Sequence, residues 1–295
     1  MIHNTYQSEI GQLKSVIIKP ALNAFISDEM LAEQWQELNY LEKPELDGAE
    51  IEYNDFEKIL HDRGIEIHAL PVHPQVTIDS IYCRDTAIMT DQGVILCAMG
   101  KPARQKEPVA ILAFFEALGL PILANIGGSA MIEGGDTVWL DNKTLAVGHS
   151  YRSNLEGIKQ LSEILSPFDI EVIKVDLPHF QGPGDVFHLM SIISPVAADK
   201  LVVYSKLMPI SFRNVLLERS YQLIEVPDEE FNTLGCNVLA LAPNECLMVA
   251  GNPITEALLR EAGCEVHTFW GKEICLKGGG GPTCLTRPLI RMEVE

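Results

Sequence analysis

Four segments far apart in the chain carry side chains that could act together on a cationic carbon electrophile. The stretch KGGGGPTCLTRP, residues 277–288, places four glycines and a proline ahead of one cysteine, Cys284. Upstream stand Arg84-Asp85, the run Glu133-Gly-Gly-Asp136, and His188 at the end of DVFH. A thiolate attacks electrophilic carbon, an imidazole moves protons near neutral pH, and carboxylates hold positive charge. A free thiol ionises only near ~8.5, so a neighbouring cation or a helix end would have to help it. Singly, each residue has an ordinary explanation. Asp85 could pair with Arg84 or cap a turn, Glu133 could be a turn carboxylate, and His188 could be a core histidine. Asp136 could support the Gly-Gly turn through backbone hydrogen bonds. The glycine run could be a flexible tail, or a backbone lying against a ligand or its cover where a Cβ would clash.

What joins these residues is phase. RDTAIMTDQGVILCAMG (84–100) reads as strand, turn, strand; VAILAFFEALG follows at helical spacing and ends on glycine; LPILANI closes the unit as a strand. The order recurs in GGDTVWLDNKTLAVGHS, NLEGIKQLSEIL and IEVIKVDLP, with Asp-Asn-Lys as the hairpin turn. It recurs again in HLMSIISPVAADKLVVYS, FRNVLLERS and YQLIEVP, and in CNVLALAPNECLMVAG, ITEALLREAG and CEVHTFW. Equivalent positions fall at Asp85, Asp136, His188 and Asn237, spaced 51, 52 and 49 residues apart. One period throughout indicates a repeat architecture. A fifth copy would join the chain ends: KSVIIKP and CLTRPLIRME as strands, IEYNDFEKILHDRG as helix and IEIHALP as the closing strand. The expected fold is α/β, a closed ring of five strand-strand-helix-strand modules in a single domain over 1–295, with the strand starts gathered at the axis. Pairing of the first and last segments would protect the sheet edges.

Composition bounds the function. The chain of 295 residues is 47% hydrophobic and 21% charged, which suits a large globular core. Its formal net charge of -19 argues against nucleic acid, whose phosphates need a basic face. No apolar run approaches the ~20 residues of a membrane span, and the N-terminus lacks a signal-peptide pattern, so the expectation is a cytoplasmic protein with no membrane partner. Seven cysteines with no C-x-x-C pair argue against a disulfide framework or a structural zinc site, and no metal ligand set is expected. GGGG is followed by Pro282-Thr283-Cys284, which excludes a phosphate-binding P-loop.

Arg-Asp-Thr at 84–86, Glu-Gly-Gly-Asp at 133–136, His188-Leu189 and the Gly-Gly-x-x-Cys ending at Cys284 together resemble the guanidine-modifying (pentein) superfamily, over nearly the whole chain. That superfamily includes dimethylarginine dimethylaminohydrolase, arginine deiminase and glycine amidinotransferase. The resemblance implies a five-bladed α/β-propeller and no cofactor. It implies that Cys284 attacks the guanidinium carbon to give a thiouronium intermediate. His188 would protonate the leaving amine and then activate water, while Glu133 and Asp85 hydrogen-bond the guanidinium. Arg104 and Arg152 stand where the family holds the substrate α-carboxylate, or else are surface-loop arginines. Asp136 would order the Gly-Gly turn or reach the substrate.

Arginine deiminases and amidinotransferases typically carry an aspartate two residues after the histidine; here that residue is Met190, and the dimethylarginine hydrolases lack that aspartate too. The expected activity is hydrolysis of an N-methylated arginine to citrulline and an amine. The alternatives are amidino transfer, an arginine-deiminase or citrulline-type hydrolysis, and an inactive binder of arginine-like ligands. The partner is a small guanidino or ureido amino acid, with a homodimer left open. Cys83 either reaches the site or is a buried strand cysteine.

Overall fold

Four-residue apolar strands cannot bury themselves alone; they need sheets on both sides, and the chain supplies them. The computed structural model describes residues 2–294. Five three-stranded sheets share one pattern, an antiparallel pair followed by a parallel strand reached through a helix. The first joins Thr286–Pro288, Ser15–Ile18 and Glu66–Ala69, with helix Leu46–His61 in the crossover. The second joins Ala87–Thr90, Gly93–Leu96 and Ile122–Asn125, with helix Glu107–Ala117. The third joins Thr137–Asp141, Thr144–His149 and Glu171–Asp176, with helix Leu155–Leu165. The fourth joins Ile193–Ala197, Lys200–Val203 and Gln222–Glu225, with helix Ile210–Glu218. The fifth joins Leu239–Ala242, Glu245–Val249 and Glu265–Phe269, with helix Pro253–Glu261.

Period-two alternation decides which sheet each side chain touches. In the second sheet, Ala87, Met89, Val94 and Leu96 pack in a cluster with Ile17 of the first. Ile88 and Ile95, on the other face, pack with Trp139, Leu145 and Val147 of the third. Val138 and Ala146 then meet Ile193 and Val202 of the fourth and Cys246 and Met248 of the fifth. Leu247 and Val249 of the fifth pack with Val16 and Ile18 of the first. Burial on both faces explains why these strands read as continuous apolar runs. A one-residue slip would exchange the two faces of a strand, so register is strongly fixed.

Three expectations need correction. The C-terminal stretch is two strands. Thr286–Pro288 completes the first sheet, while Arg291–Val294 turns away to pair with Ile2–Thr5 and Gln12–Leu13 in a sixth small sheet. The break follows Pro288: the carbonyl of Ile290 accepts from both Lys14 and Ser15 N–H groups, so the chain leaves the ladder there. The first crossover helix starts at Leu46, ahead of the expected Ile51. Two short helices, Ala21–Phe25 and Asp28–Gln34, precede it with no counterpart in the other modules. Among the described residues, no helix is long and apolar enough to cross a membrane.

Candidate active site

The starts of the modules are short tight turns. Cys83–Thr86, Gly134–Asp136 and Leu189–Ser191 form 3-10 turns just ahead of the second, third and fourth sheets. A threonine closes two of them in the same way: the Thr86 hydroxyl donates to the Cys83 carbonyl and the Thr137 hydroxyl to that of Gly134. Ahead of the first sheet, the Thr286 hydroxyl likewise donates to the Pro282 carbonyl. The Arg84 N–H donates to the Cys284 carbonyl, which ties the thiol's turn to the one bearing Asp85.

Cys284 and His188 line one cavity of about 310 Å³, together with Asp85, Arg152, Met190 and Asn237. That volume lies at the lower end of small-molecule sites. Cys284 is half-buried. Burial first, and then the Asp85 carboxylate, push its thiol above the usual range, against hydrogen bonds from Asn237 and Thr283. His188 Nε2 lies 2.8 Å from Glu133 Oε2. Burial works to neutralise the imidazole, but the carboxylates of Asp85, Asp136 and Glu133 prevail, and its pKa rises to about 9. Burial likewise opposes the Glu133 charge; the His188 hydrogen bond and charge, with Arg152 and Arg104, override it and hold Glu133 at about 2. The resting pair is therefore imidazolium and carboxylate at neutral pH.

Glu133 is fully buried, and its other oxygen accepts from the Gly100 and Lys101 N–H groups, both at 3.0 Å. It does not line the cavity: it stands behind His188 and fixes the ring. Asp136, expected to order the Gly-Gly turn or to reach the substrate, lies off the cavity wall as well. Its carboxylate accepts from the Leu189 N–H at 2.9 Å and the Ser150 hydroxyl at 2.6 Å, with no face on the cavity. It orders the turn that carries His188. Gly135 is required between them, since a Cβ there would fall 2.5 Å from His188 Nδ1 and 2.7 Å from Asp85 Oδ1.

Asp85 faces the cavity but accepts from the Gly135 N–H at 2.9 Å and pairs with Arg104. Arg104 is buried, and its Nε and Nη2 donate to Glu107 and to the Tyr82 carbonyl, while Nη1 donates to Asp85. With four of its donors so engaged, it supports Asp85 and lacks a free fork for a substrate carboxylate. Arg152 is different. Its Nη2 reaches the Asp185 carbonyl at 3.3 Å, while Nη1, 3.6 Å from Glu133, has no hydrogen-bond partner. Lys101 also lines the cavity, its ammonium 2.6 Å from Asp79.

Asn237, in phase with Asp85, Asp136 and His188 along the chain, acts on the thiol itself. Its Nδ2 donates to Cys284 Sγ at 3.3 Å, and its Oδ1 accepts from the Thr283 N–H and hydroxyl. The phase itself was the signal. Gly278, Gly279 and Gly280 line the cavity, where a ligand-facing backbone is expected, and the protein's own side chains crowd the run as well. A Cβ on Gly278 would fall 2.0 Å from the Tyr82 hydroxyl, on Gly280 2.5 Å from its ring, and on Gly281 2.5 Å from Asn237 Oδ1. The bare backbone is demanded by the protein's own Tyr82 and Asn237. Cys83 is buried, directs its thiol to the Ile17 and Leu285 carbonyls, and is absent from the cavity wall.

Asp85, Glu133 and His188 bring ligand atoms within 4.8 Å of one another, close enough for a metal ion. The Glu133 oxygens are already shared by His188, Gly100 and Lys101, and those of Asp85 by Gly135 and Arg104. A second such group, Glu245, Glu265 and His267, lies at the edge of the fifth sheet beside Arg63.

The fold and this constellation define a guanidine-modifying enzyme of the pentein superfamily. A family model described as N,N dimethylarginine dimethylhydrolase, eukaryotic, matches residues 24–291, and the chain belongs to that family. The uncharacterised protein YkgA of Bacillus subtilis (strain 168) is 30% identical over 234 residues, 79% of this chain and 77% of its own length. The arginine deiminase of Listeria welshimeri is 30% identical over 253 residues, covering 71% of this chain but only 61% of the deiminase. The chain thus spans about three fifths of the arginine deiminases it matches. Among solved structures, a mutant dimethylarginine hydrolase (DDAH) of Pseudomonas aeruginosa complexed with citrulline superposes with a TM-score of 0.76 at 21% identity. It covers 93% of this chain and 98% of the other. The amidinotransferase SxtG of Microseira wollei gives 0.79 at 16% identity and covers 97% of each chain. At these identities the two structures speak for the fold alone.

Proposed function

We propose that the protein hydrolyses an N-methylated arginine to citrulline and methylamine or dimethylamine through a covalent intermediate on Cys284. The observation that carries the reading is one cavity lined by a thiol, an imidazole held protonated, a carboxylate and an apolar Met190. A planar guanidinium offers paired donors to Asp85. Its positive charge beside the thiol favours ionisation that burial otherwise opposes, and the thiol proton leaves to solvent. The thiolate then forms a C–S bond to the guanidinium carbon. The His188 imidazolium gives its proton to the methylated nitrogen as the C–N bond breaks and the amine departs. Neutral His188 next takes a proton from water, whose oxygen attacks the thiouronium carbon; the C–S bond breaks and the ureido product leaves. Glu133 keeps the ring oriented through both proton transfers. Arg152, on the cavity wall with Nη1 unpartnered, holds the α-carboxylate in this reading.

The five sheets, whose hydrophobic clusters link first to second, second to third, third to fourth and fifth, and fifth to first, support reading residues 1–295 as one five-bladed propeller domain. The likeness to arginine deiminases favours unmethylated arginine as the second reading; against it, the thioether of Met190 is only a weak acceptor for a guanidinium N–H, where a carboxylate would be a strong one. The test is incubation with arginine, monomethylarginine, asymmetric dimethylarginine, citrulline, guanidinobutyrate and agmatine, with ureido product, amine and ammonia read by mass spectrometry. Citrulline with methylamine or dimethylamine is expected. Ammonia from arginine as the preferred reaction would overturn the substrate assignment. A product seen only with an amine acceptor present would replace hydrolysis by transfer, and binding without turnover would replace the enzyme by a binder.

A further inference from the structure

Three arginines outside the cavity wall form a buried cluster that the proposed chemistry leaves unused. Arg84, Arg287 and Arg291 are 1%, 5% and 1% exposed. Arg84 Nη2 donates to both oxygens of Glu9 at 2.7 Å. Arg287 Nη1 donates to the Ala87 carbonyl at 2.7 Å and reaches that of Arg84 at 3.4 Å. Arg291 Nη1 donates to the carbonyls of Gly11, two residues from Glu9, and Ala240. Five further nitrogens are buried with no hydrogen-bond partner: Nε and Nη1 of Arg84, Nε of Arg287, and Nε and Nη2 of Arg291. Burial lowers Arg287 to about 9 and Arg291 to about 10, so both remain cationic at neutral pH.

The carboxylates that act on Arg287 and Arg291 are those of Glu9, which also accepts from Arg84, and of Glu293, half-buried beside Gly11. Three cations against two carboxylates leave one positive charge. An unpaired buried charge is costly, as is each buried donor without an acceptor. A single small anion answers both deficits, because a halide accepts many N–H groups without a directional demand.

We propose that Arg84, Arg287 and Arg291 enclose a monovalent inorganic anion of chloride size. The site ties the turn bearing Asp85, through Arg84, to the strand that follows Cys284, through Arg287. The anion is therefore structural, placed behind the reacting groups and never in contact with substrate.

The test uses crystals of the full chain grown in sodium chloride and in sodium bromide, with anomalous maps collected at long wavelength and at the bromine edge. The expected result is an anomalous peak among the three guanidinium groups, assignable to no sulfur atom, in both crystals. Water at that position in both maps would overturn the proposal. A thermal series at constant ionic strength gives a second reading: replacing gluconate by chloride should raise Tm by about 2 °C or more, as expected for a ligand held by the native state alone. General salt effects favour the more excluded anion, so a chloride gain runs against that trend. The Arg291→Met variant should lose both the peak and the chloride response. If it does not fold, the maps on the unaltered chain still decide.

Discussion

Replacing Glu133 by glutamine removes a charge while keeping nearly the same shape, and its consequence can be followed through His188. The imidazole stands at about 9, against an ordinary 6.5, despite burial that pulls the other way. That gap corresponds to about 3 kcal/mol in favour of the imidazolium. Because burial opposes them, Asp85, Asp136 and Glu133 together supply more than that gap, and Glu133 acts both by charge and by hydrogen bond, so its loss should bring the ring down from about 9 toward its ordinary value. The amide also presents the wrong partner to Nε2 in one of its two orientations, so proton transfer should fall by about 100-fold or more. The assay is titration of the ¹⁵N-labelled His188 ring by NMR in both proteins, beside steady-state kinetics.

Linkage gives the same pair a second signature. The raised His188 contributes stability that is complete below about 6.5 and lost as pH climbs through about 9. The depressed Glu133 contributes stability present above about 4.5 and lost as pH falls toward about 2. Urea midpoints should therefore decline on the alkaline side less steeply in Glu133→Gln. A native His188 titrating near 6.5, or one unmoved by the substitution, would refute the reasoning.

Three further outcomes follow from the site. Gly280→Ala puts a Cβ 2.5 Å from the Tyr82 ring and 3.1 Å from Cys284 Cβ. It should cost about 1–3 kcal/mol in urea unfolding and lower kcat, whereas Gly127→Ala, with no atom within 4 Å, should change neither. Asn237→Ala removes a hydrogen bond to the thiol and an acceptor for Thr283; kcat should fall more than 10-fold, with iodoacetamide labelling of Cys284 shifted to higher pH. Met190→Asp supplies the missing acceptor, so kcat/KM for arginine relative to dimethylarginine should rise even though a buried carboxylate lowers Tm.

The modules were legible because each signal was local. Strands buried on both faces are continuous apolar runs, Asp141 closes its hairpin by accepting from the Lys143 N–H and the Thr144 hydroxyl, and Asn154 caps the helix that begins at Leu155. The second module's helix starts at Glu107 rather than Val109 because Pro108 fits its first turn, and it ends before Gly119, which takes φ +71. The break at Pro288 and the helices Ala21–Phe25 and Asp28–Gln34 escaped because they follow no repeat. In the site, phase brought forward Asp85, His188 and Asn237. Partnerships across the fold were not legible: Arg104 with Asp85, Lys101 with Asp79, and Arg84 with Glu9 depend on distances that exist only after the sheets assemble. For the same reason the crowding of Tyr82 and Asn237 against the glycines was not legible.

The central claim is that Cys284 bonds to the guanidinium carbon. Acid-quenched single turnovers with monomethylarginine, read by intact mass and peptide mapping, test it most directly. The expected result is a transient adduct confined to the peptide bearing Cys284, formed as methylamine is released and lost as citrulline appears. Turnover at the normal rate in Cys284→Ser, or an adduct that maps to another residue, would contradict it.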